Sequence, residues 1–369
     1  MKVTFVLPPV NLSGGIRSTA MLAQHLMRRG HEVLAVCPAN PRPTLREQLR
    51  SLKNFKGWLP NAPRQSSQFD DIDVPLKVLD SSDPITANDL PDADVVVATW
   101  WETAEWVVKL PPEKGAKAYF IRHHEVHDYL PKERSAATYA LPLHKITISQ
   151  WLVDIMKTHY GDDNVSLVPN SIDTSKYFSP IREKAAQPTV GMMYSTKKWK
   201  GCDVSLEACA IAARELADLK VLAFGFGDPA EEMPLPPNHE YVRQPPQDQI
   251  KQIYSACDAW LFGSRLEGFG RPILEAMACR TPVIGTPAGA APELISHGGG
   301  ILVKPEDPAD MAQAIVKICT MTNADWQSTS QIAYDTAKSY TWDDAAQRCE
   351  AAFQAAIERF QSGDLSKSY

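Results

Sequence analysis

Short runs of β-branched and aliphatic residues alternate with segments of helical period along the whole chain. Strand candidates fall at 3–7, 33–37, 76–79, 95–99, 118–122, 146–149 and 165–168 in the first half. In the second half they fall at 189–194, 221–224, 240–242, 259–262, 283–285 and 301–303. Several are apolar at every position and lack period-2 alternation, the pattern of strands buried on both faces of a parallel sheet. Repeated strand–helix alternation predicts a doubly wound α/β architecture. The stretch 179–188, SPIREKAAQP, is polar and bounded by prolines near mid-chain, and reads as an interdomain linker. Two domains are therefore expected, 1–182 and 183–345. A closing helical pattern from Asp343 to about Gln361 carries Phe353, Ile357 and Phe360 on one face. It leaves about 345–369 free to pack back on the first domain.

The region from Pro41 to Val74 breaks the alternation. Leu45, Leu49, Leu52, Phe55 and Trp58 recur at helical spacing, with Arg42, Arg46, Arg50, Lys53 and Lys56 interleaved. Two readings fit. A basic amphipathic helix at about 42–58 can lie peripherally on an anionic membrane surface. Equally, the apolar stripe can face the domain core while the cations stay solvated.

Composition narrows the class. A chain of 369 residues exceeds one ordinary core, and 44% hydrophobic with 22% charged residues is an ordinary globular balance. The net charge of −6 gives no global attraction for nucleic acid. The first apolar run stops at Pro8 and Pro9, which suits a buried strand better than a signal peptide. No stretch reaches the roughly 18 apolar residues of a membrane span. Seven scattered cysteines, an odd count without C-x-x-C, read as reduced thiols. The expected location is the cytoplasm, with the inner membrane face left open by the segment at about 42–58.

The stretch 262–295, FGSRLEGFGRPILEAMACRTPVIGTPAGAAPELI, is the most informative. A buried strand ends at Phe262, and a loop with Glu267, Gly268, Phe269 and Gly270 follows. Pro272 suits a first helical turn. Glycines ahead of a helix let backbone N–H groups approach an anion, and the helix dipole favours one there. A diphosphate is the obvious candidate, at the carboxyl end of a strand where open α/β sheets bind ligands. Glu275 is a carboxylate among Ile273, Leu274, Ala276 and Met277. A buried charge needs donors, which ribose hydroxyls would supply. Attraction to the helix dipole explains Glu275 by itself but not its pairing with Glu267, a candidate acceptor for sugar hydroxyls.

These residues resemble the retaining glycosyltransferase family 4, of GT-B fold. The E-x7-E pair Glu267/Glu275, the EGFG loop and the run LEAMACRTPVIGTPAGAAPELI carry the likeness. So do VPNSIDTSKYF at 168–178, WKG at 199–201 and YTWDDAAQRCEAAF at 340–353. The resemblance implies two Rossmann-like domains facing across a cleft that binds the donor. It implies that Gly14 and Gly15 face the donor phosphates and the acceptor, and that Lys200 neutralises the diphosphate. The family's usual arginine five residues before that lysine is Ser195 here; Lys197 or Lys198 can substitute, and Arg271 can add a third cation. A histidine of the HHE run at 123–125 would contact the donor sugar, either His123 or His124. Arg243 and Gln244 would flank the nucleobase.

Trp100 and Trp101 follow the fourth strand, where indoles serve an acceptor sugar or ordinary packing. His123, His124 and His127 lack the i, i+4 helical spacing of a zinc motif, so no metal site is expected. The function implied is transfer of a sugar, with retention, from a nucleoside-diphosphate donor to a saccharide or glycolipid hydroxyl in polysaccharide or glycoconjugate synthesis. UDP-hexose is the favoured donor, as a substrate, and no cofactor is expected. The competing readings are a nucleotide-sugar 2-epimerase of the same fold and a non-catalytic sugar-binding subunit.

Overall fold

The computed structural model describes residues 1–41, 43–60 and 65–364. Its elements run β1 (Lys2–Val6), α1 (Gly14–Arg28), β2 (Glu32–Cys37), α2 (Leu45–Lys53), β3 (Leu76–Val78), β4 (Val95–Ala98), α3 (Trp101–Val107), β5 (Ala116–Ile121), α4 (Lys132–Ala137), β6 (His144–Thr147), α5 (Gln150–Tyr160) and β7 (Ser166–Leu167). There follow β8 (Thr189–Tyr194), α6 (Cys202–Ala212), β9 (Lys220–Gly225), β10 (His239–Arg243), α7 (Ile250–Ser255), β11 (Ala259–Phe262), α8 (Arg271–Ala278), β12 (Val283–Gly285), α9 (Ala291–Ile295), β13 (Gly300–Leu302), α10 (Pro308–Thr320), α11 (Asn323–Lys338) and α12 (Trp342–Gln361). The strands form two parallel sheets, ordered β3-β2-β1-β4-β5-β6-β7 and β10-β9-β8-β11-β12-β13. Each strand candidate read from the sequence overlaps one of these strands. Val95, Val96, Val97 and Ala98 of β4 show no exposed surface, as a central strand covered on both faces requires.

Each sheet reverses its winding once, between β1 and β4 in the first and between β8 and β11 in the second. Such switch points open a crevice beyond the strands' carboxyl ends, where doubly wound sheets bind ligands.

Packing divides the chain into a first unit, Met1–Ile148, Leu152–Val168 and Asp343–Tyr369, and a second, Ser149–Trp151 and Pro169–Trp342. The sequence reading put the divisions at 182–183 and about 345. Residues 169–182 join the second unit because they are stitched into it. Ile172 N donates to Tyr340 O at 3.1 Å and Ser171 Oγ to Thr341 O at 2.9 Å. The supposed linker is likewise bound. Arg182 donates to Thr281 Oγ1 at 3.0 Å and lies over the Trp326 ring, and Ala185 N donates to Asp258 Oδ1 at 2.8 Å. Its polarity supplies partners to buried acceptors, not solvation. From Asp343 onward α12 packs on the first unit. Phe353 meets the edge of Phe5 at 6.3 Å, and Glu350 accepts from Arg29 and His31.

Helix α2 corrects the core-packing reading of 41–58. Its buried residues are Gln48 and Ser51. Gln48 holds both backbone groups of Leu59, accepting at 2.8 Å and donating at 2.9 Å, and Ser51 Oγ donates to Gly57 O at 2.8 Å. The polar face thus turns inward to satisfy the returning backbone. The apolar stripe turns outward: Leu45 is 76% exposed, Leu49 67% and Phe55 99%, with Leu52 and Trp58 also exposed. Arg42 lies outside the described residues.

Candidate functional site

In the second unit the loops after β8 and β11 meet at the switch point. Gly201 adopts a left-handed φ of 57°, and a Cβ there would fall on the carbonyl of Gly263. Only glycine lets the two loops touch backbone to backbone. The contact sets Lys200 beside Glu267. Lys200 Nζ donates to Glu267 Oε1 at 2.5 Å, and Ser264 Oγ donates to the same oxygen at 3.0 Å. Lys200 and Glu267, expected to serve phosphate and sugar separately, form one ion pair, with side chains 23% and 15% exposed.

Gly270, at φ 93°, caps α8, and a Cβ there would strike the Phe262 ring. The loop before it is braced: the Gly268 carbonyl accepts from Ser149 Oγ at 2.8 Å and Trp151 Nε1 at 2.9 Å. Phe269 is buried, and its carbonyl accepts from Ala290 N at 2.8 Å. Glu275, 8% exposed, does not lack donors, as the sequence suggested it would. Arg271 Nη2 donates to Oε1 at 2.8 Å and Tyr254 hydroxyl to Oε2 at 3.0 Å. Burial, then the Glu275 charge, raise the Tyr254 pKa well above its usual value, so this hydroxyl stays protonated and donates. Arg271 is therefore occupied by Glu275, one turn along α8. A carboxylate offers about four lone-pair sites, so two remain for a ligand.

The other cations stand apart from this pair. Lys197 is exposed, its ammonium 5.3 Å from the Trp199 ring centroid, and Lys198 is exposed too. Arg243 pairs with Asp228 at 3.1 Å, and Gln244 Nε2 donates to Phe226 O at 2.8 Å, joining the ends of β9 and β10. Sequence reasoning missed Arg265. It grips Asp203 at 2.8 and 2.9 Å and Glu306 at 2.5 and 2.8 Å, fastening the loop ahead of Glu267. With both carboxylates engaged, it is no replacement for the arginine absent at Ser195.

In the first unit a cavity of about 600 Å³ opens at the other switch point. Residues after β1 (Pro8, Asn11, Ser13), after β4 (Thr99, Trp100) and after β5 (Arg122, His123, Glu125) line it, with Gly15 at the start of α1. Gly14 opens that helix and its carbonyl accepts from Ser18 Oγ at 2.9 Å. The two histidines separate. His123 lines the cavity, whereas His124 donates or accepts at Tyr160 hydroxyl, 2.8 Å away, and packs on Tyr139. Burial, then neighbouring histidines, lower the His124 pKa to about 4. The two indoles separate as well. Trp100 lines the cavity, while Trp101 is buried beneath Arg134 and does not. Burial raises the Glu125 carboxyl to about 8, opposed by the Trp101 N–H and by Arg122. Among the described residues no group of three or more His, Cys, Asp or Glu could hold a metal ion.

The Glycosyltransferase Family 4 description matches residues 12–176, and Glycosyl transferases group 1 matches 173–333. The chain belongs to this glycosyltransferase family. It is similar to the D-inositol 3-phosphate glycosyltransferase of Corynebacterium kroppenstedtii, with 26% identity over 56% of this chain and 52% of that protein. The GPI3 subunit of phosphatidylinositol N-acetylglucosaminyltransferase from Saccharomyces cerevisiae is 22% identical over 53% of this chain and 46% of that protein. The chain thus spans about half the length of these curated relatives. Two solved structures share the GT-B fold of this chain. Sucrose-phosphate synthase from Thermosynechococcus elongatus has a TM-score of 0.72 and 16% identity, over 98% of this chain and all of that one. Anabaena HepE, in complex with UDP and glucose, has a TM-score of 0.65 and 18% identity, with the same coverage.

Proposed function

We propose that this glycosyltransferase moves a sugar, with retention, from a nucleoside-diphosphate donor to a hydroxyl of a saccharide or glycolipid acceptor. The donor is a UDP-hexose and the reaction runs without a metal. One observation carries the reading: Glu275 is buried in the second turn of α8, held by Arg271 and Tyr254, in the same switch-point loop system as the Lys200–Glu267 pair. A carboxylate fixed on two oxygens keeps its remaining lone pairs aimed and can accept from two ribose hydroxyls. Lys200 has ammonium protons beyond the one on Glu267, and with the N–H groups leading into α8 it stabilises the departing diphosphate. Glu267 accepts from hydroxyls of the transferred sugar. His123 and Trp100, in the cavity of the first unit, serve the sugar and the acceptor. The leaving phosphate takes the acceptor proton, and the protein contributes position and charge.

The exposed stripe of α2 supports a peripheral membrane position. Leu45, Leu49, Leu52, Phe55 and Trp58 face solvent beside Arg46, Arg50, Lys53 and Lys56, the composition of a helix that lies in an anionic interface. Among the described residues no helix is long and apolar enough to cross a membrane. Full-length protein is expected to sediment with phosphatidylglycerol vesicles and not with phosphatidylcholine ones. The doubly substituted Leu49→Glu, Phe55→Glu chain is expected to remain in the supernatant. Sedimentation that ignores both lipid charge and substitution contradicts the surface.

Thermal-shift titration against a panel of nucleoside diphosphates tests the donor, since ligand binding to the native state raises the melting temperature. UDP is expected to give the largest shift. An NMR spectrum of donor incubated without acceptor separates the enzyme classes. Slow release of free sugar fits a transferase, and a new epimer of the donor would make the chain a 2-epimerase.

A further inference from the structure

The first unit holds a half-buried cation whose sealed edge its own fold does not satisfy. Arg122 follows β5 directly and is part of the wall of the 600 Å³ cavity. Its Nη1 donates to Ser18 Oγ at 2.5 Å, and Ser18 passes its own proton to Gly14 O. The guanidinium lies 4.3 Å from the Phe120 ring centroid. Its Nε and Nη2 are sealed from solvent and have no hydrogen-bond partner. No carboxylate of the described residues pairs with it. Glu125, the acid that shares the cavity, is shifted by its burial toward the neutral form, so it cancels little of the charge.

The vacant donors are significant because of which two they are. Nε and Nη2 form the side edge of a guanidinium, the fork that matches two oxygens of one anion. This molecule uses that edge elsewhere. Arg29 grips Glu350 through Nε at 2.6 Å and Nη2 at 2.7 Å, and Arg134 grips Glu105 through Nε at 2.8 Å and Nη2 at 2.6 Å. In Arg122 the same edge is empty. Gly15 lies against the stem of this side chain, where a Cβ would stand 3.4 Å from Arg122 Cδ. Ser13 and Gly15, at the N-terminal turn of the fifteen-residue α1, line the same cavity, so the helix dipole adds to the positive field.

We propose that this cavity receives an acceptor bearing an oxyanion, phosphate or carboxylate, and that Arg122, whose Nε/Nη2 fork is shut away in the ligand-free chain, turns that fork into the cavity to take the group. The inference rests on the transferase reading, in which the first unit holds the acceptor, and it narrows the acceptor to a charged class. Arg122 is a specificity residue: it rejects the neutral analogue because that analogue leaves the buried guanidinium unsatisfied.

Matched pairs of probes test it by calorimetry on the full chain: glucose 6-phosphate against glucose, glucuronate against glucose, and inositol 3-phosphate against inositol. UDP is titrated separately. At least one charged member is expected to bind about tenfold or more tightly than its neutral partner. Arg122→Gln should abolish that preference, Arg122→Lys should keep part of it, and UDP affinity should stay unchanged in both. Equal affinity, or no binding, for both members of every pair overturns the proposal. So does a charged preference that survives in Arg122→Gln. An equal loss of UDP and charged-probe affinity would assign the fork to the donor diphosphate and overturn its place in acceptor choice. Should Arg122→Gln fail to fold, Arg122→Lys decides: lacking the fork it should lose part of the charged preference, and an undiminished preference overturns the proposal. UDP binding by the wild type tests the transferase reading separately, so either idea can fail without the other.

Discussion

The two switch points each hold a charged group with polar atoms shut away from water, and the chain treats the two differently. Glu275 in the second unit has a partner on each oxygen, from Arg271 and Tyr254. Arg122 in the first unit has one hydroxyl on Nη1 and nothing on its other two nitrogens. A buried charge with internal partners is a rigid part of the fold, which can lend its spare lone pairs to a ligand. A buried charge without them stays costly until something arrives. Glu275 is thus suited to a ligand feature common to all donors, such as a ribose. Arg122 is suited to discriminate, because a ligand lacking the anion leaves it stranded.

The largest effect expected concerns the environment of Arg122. The Glu125 carboxyl titrates at about 8 in the fold, against 4.5 ordinarily. Between those values the native state holds a proton that the unfolded chain has released. Stability therefore falls as pH rises from about 4.5 to about 8, and levels off above. Glu125→Gln is expected to remove this slope, to raise the melting temperature at pH 8.5 and to add several kcal/mol of stability there at most, at roughly 1.4 kcal/mol per unit. Parallel melting curves for variant and wild type across this range would mean that Glu125 ionises normally and cancels the Arg122 charge, which erases the contrast.

Next in size is Glu267→Ala. Losing the group that holds Lys200, and that we propose accepts from the transferred sugar, should lower kcat by about a hundredfold with little change in KM. Glu275→Ala should act in the other direction. It should raise the donor KM about tenfold to a hundredfold, the worth of charged hydrogen bonds to a ribose, with a smaller change in kcat. Steady-state kinetics that show the reverse split would exchange the two roles. The smallest effect is that of Tyr254→Phe, which deletes one of the two fixed partners of Glu275. It should cost about 1–2 kcal/mol of stability by chemical denaturation and weaken UDP a few-fold. A variant of unchanged stability would show that Arg271 is sufficient to hold the carboxylate.

Much of this was legible in the residues. Strands such as β4 read as buried because they are apolar throughout, and the EGFG loop with Pro272 announced a glycine-capped helix start. What stayed hidden depends on contacts between distant segments. The stripe on α2 fitted a core face as well as a membrane surface, and the core face failed because Gln48 and Ser51 turn inward to serve backbone at 57–59, outside any helical period. Residues 179–188 looked like a tether because their polar partners, near 258 and 281, lie far along the chain. The choice between His123 and His124 turned on where Tyr139 and Tyr160 sit. Arg122 read as the last residue of a strand, since nothing local shows that a guanidinium will lack partners.

The measurement that bears most directly on the function is a crystal structure with UDP-glucose bound. The ribose hydroxyls should lie within hydrogen-bond distance of Glu275 while Arg271 and Tyr254 keep their places on its oxygens, and the diphosphate should lie against the N–H groups that open α8. A nucleotide bound elsewhere, with Glu275 engaged only by those two side chains, would contradict the account.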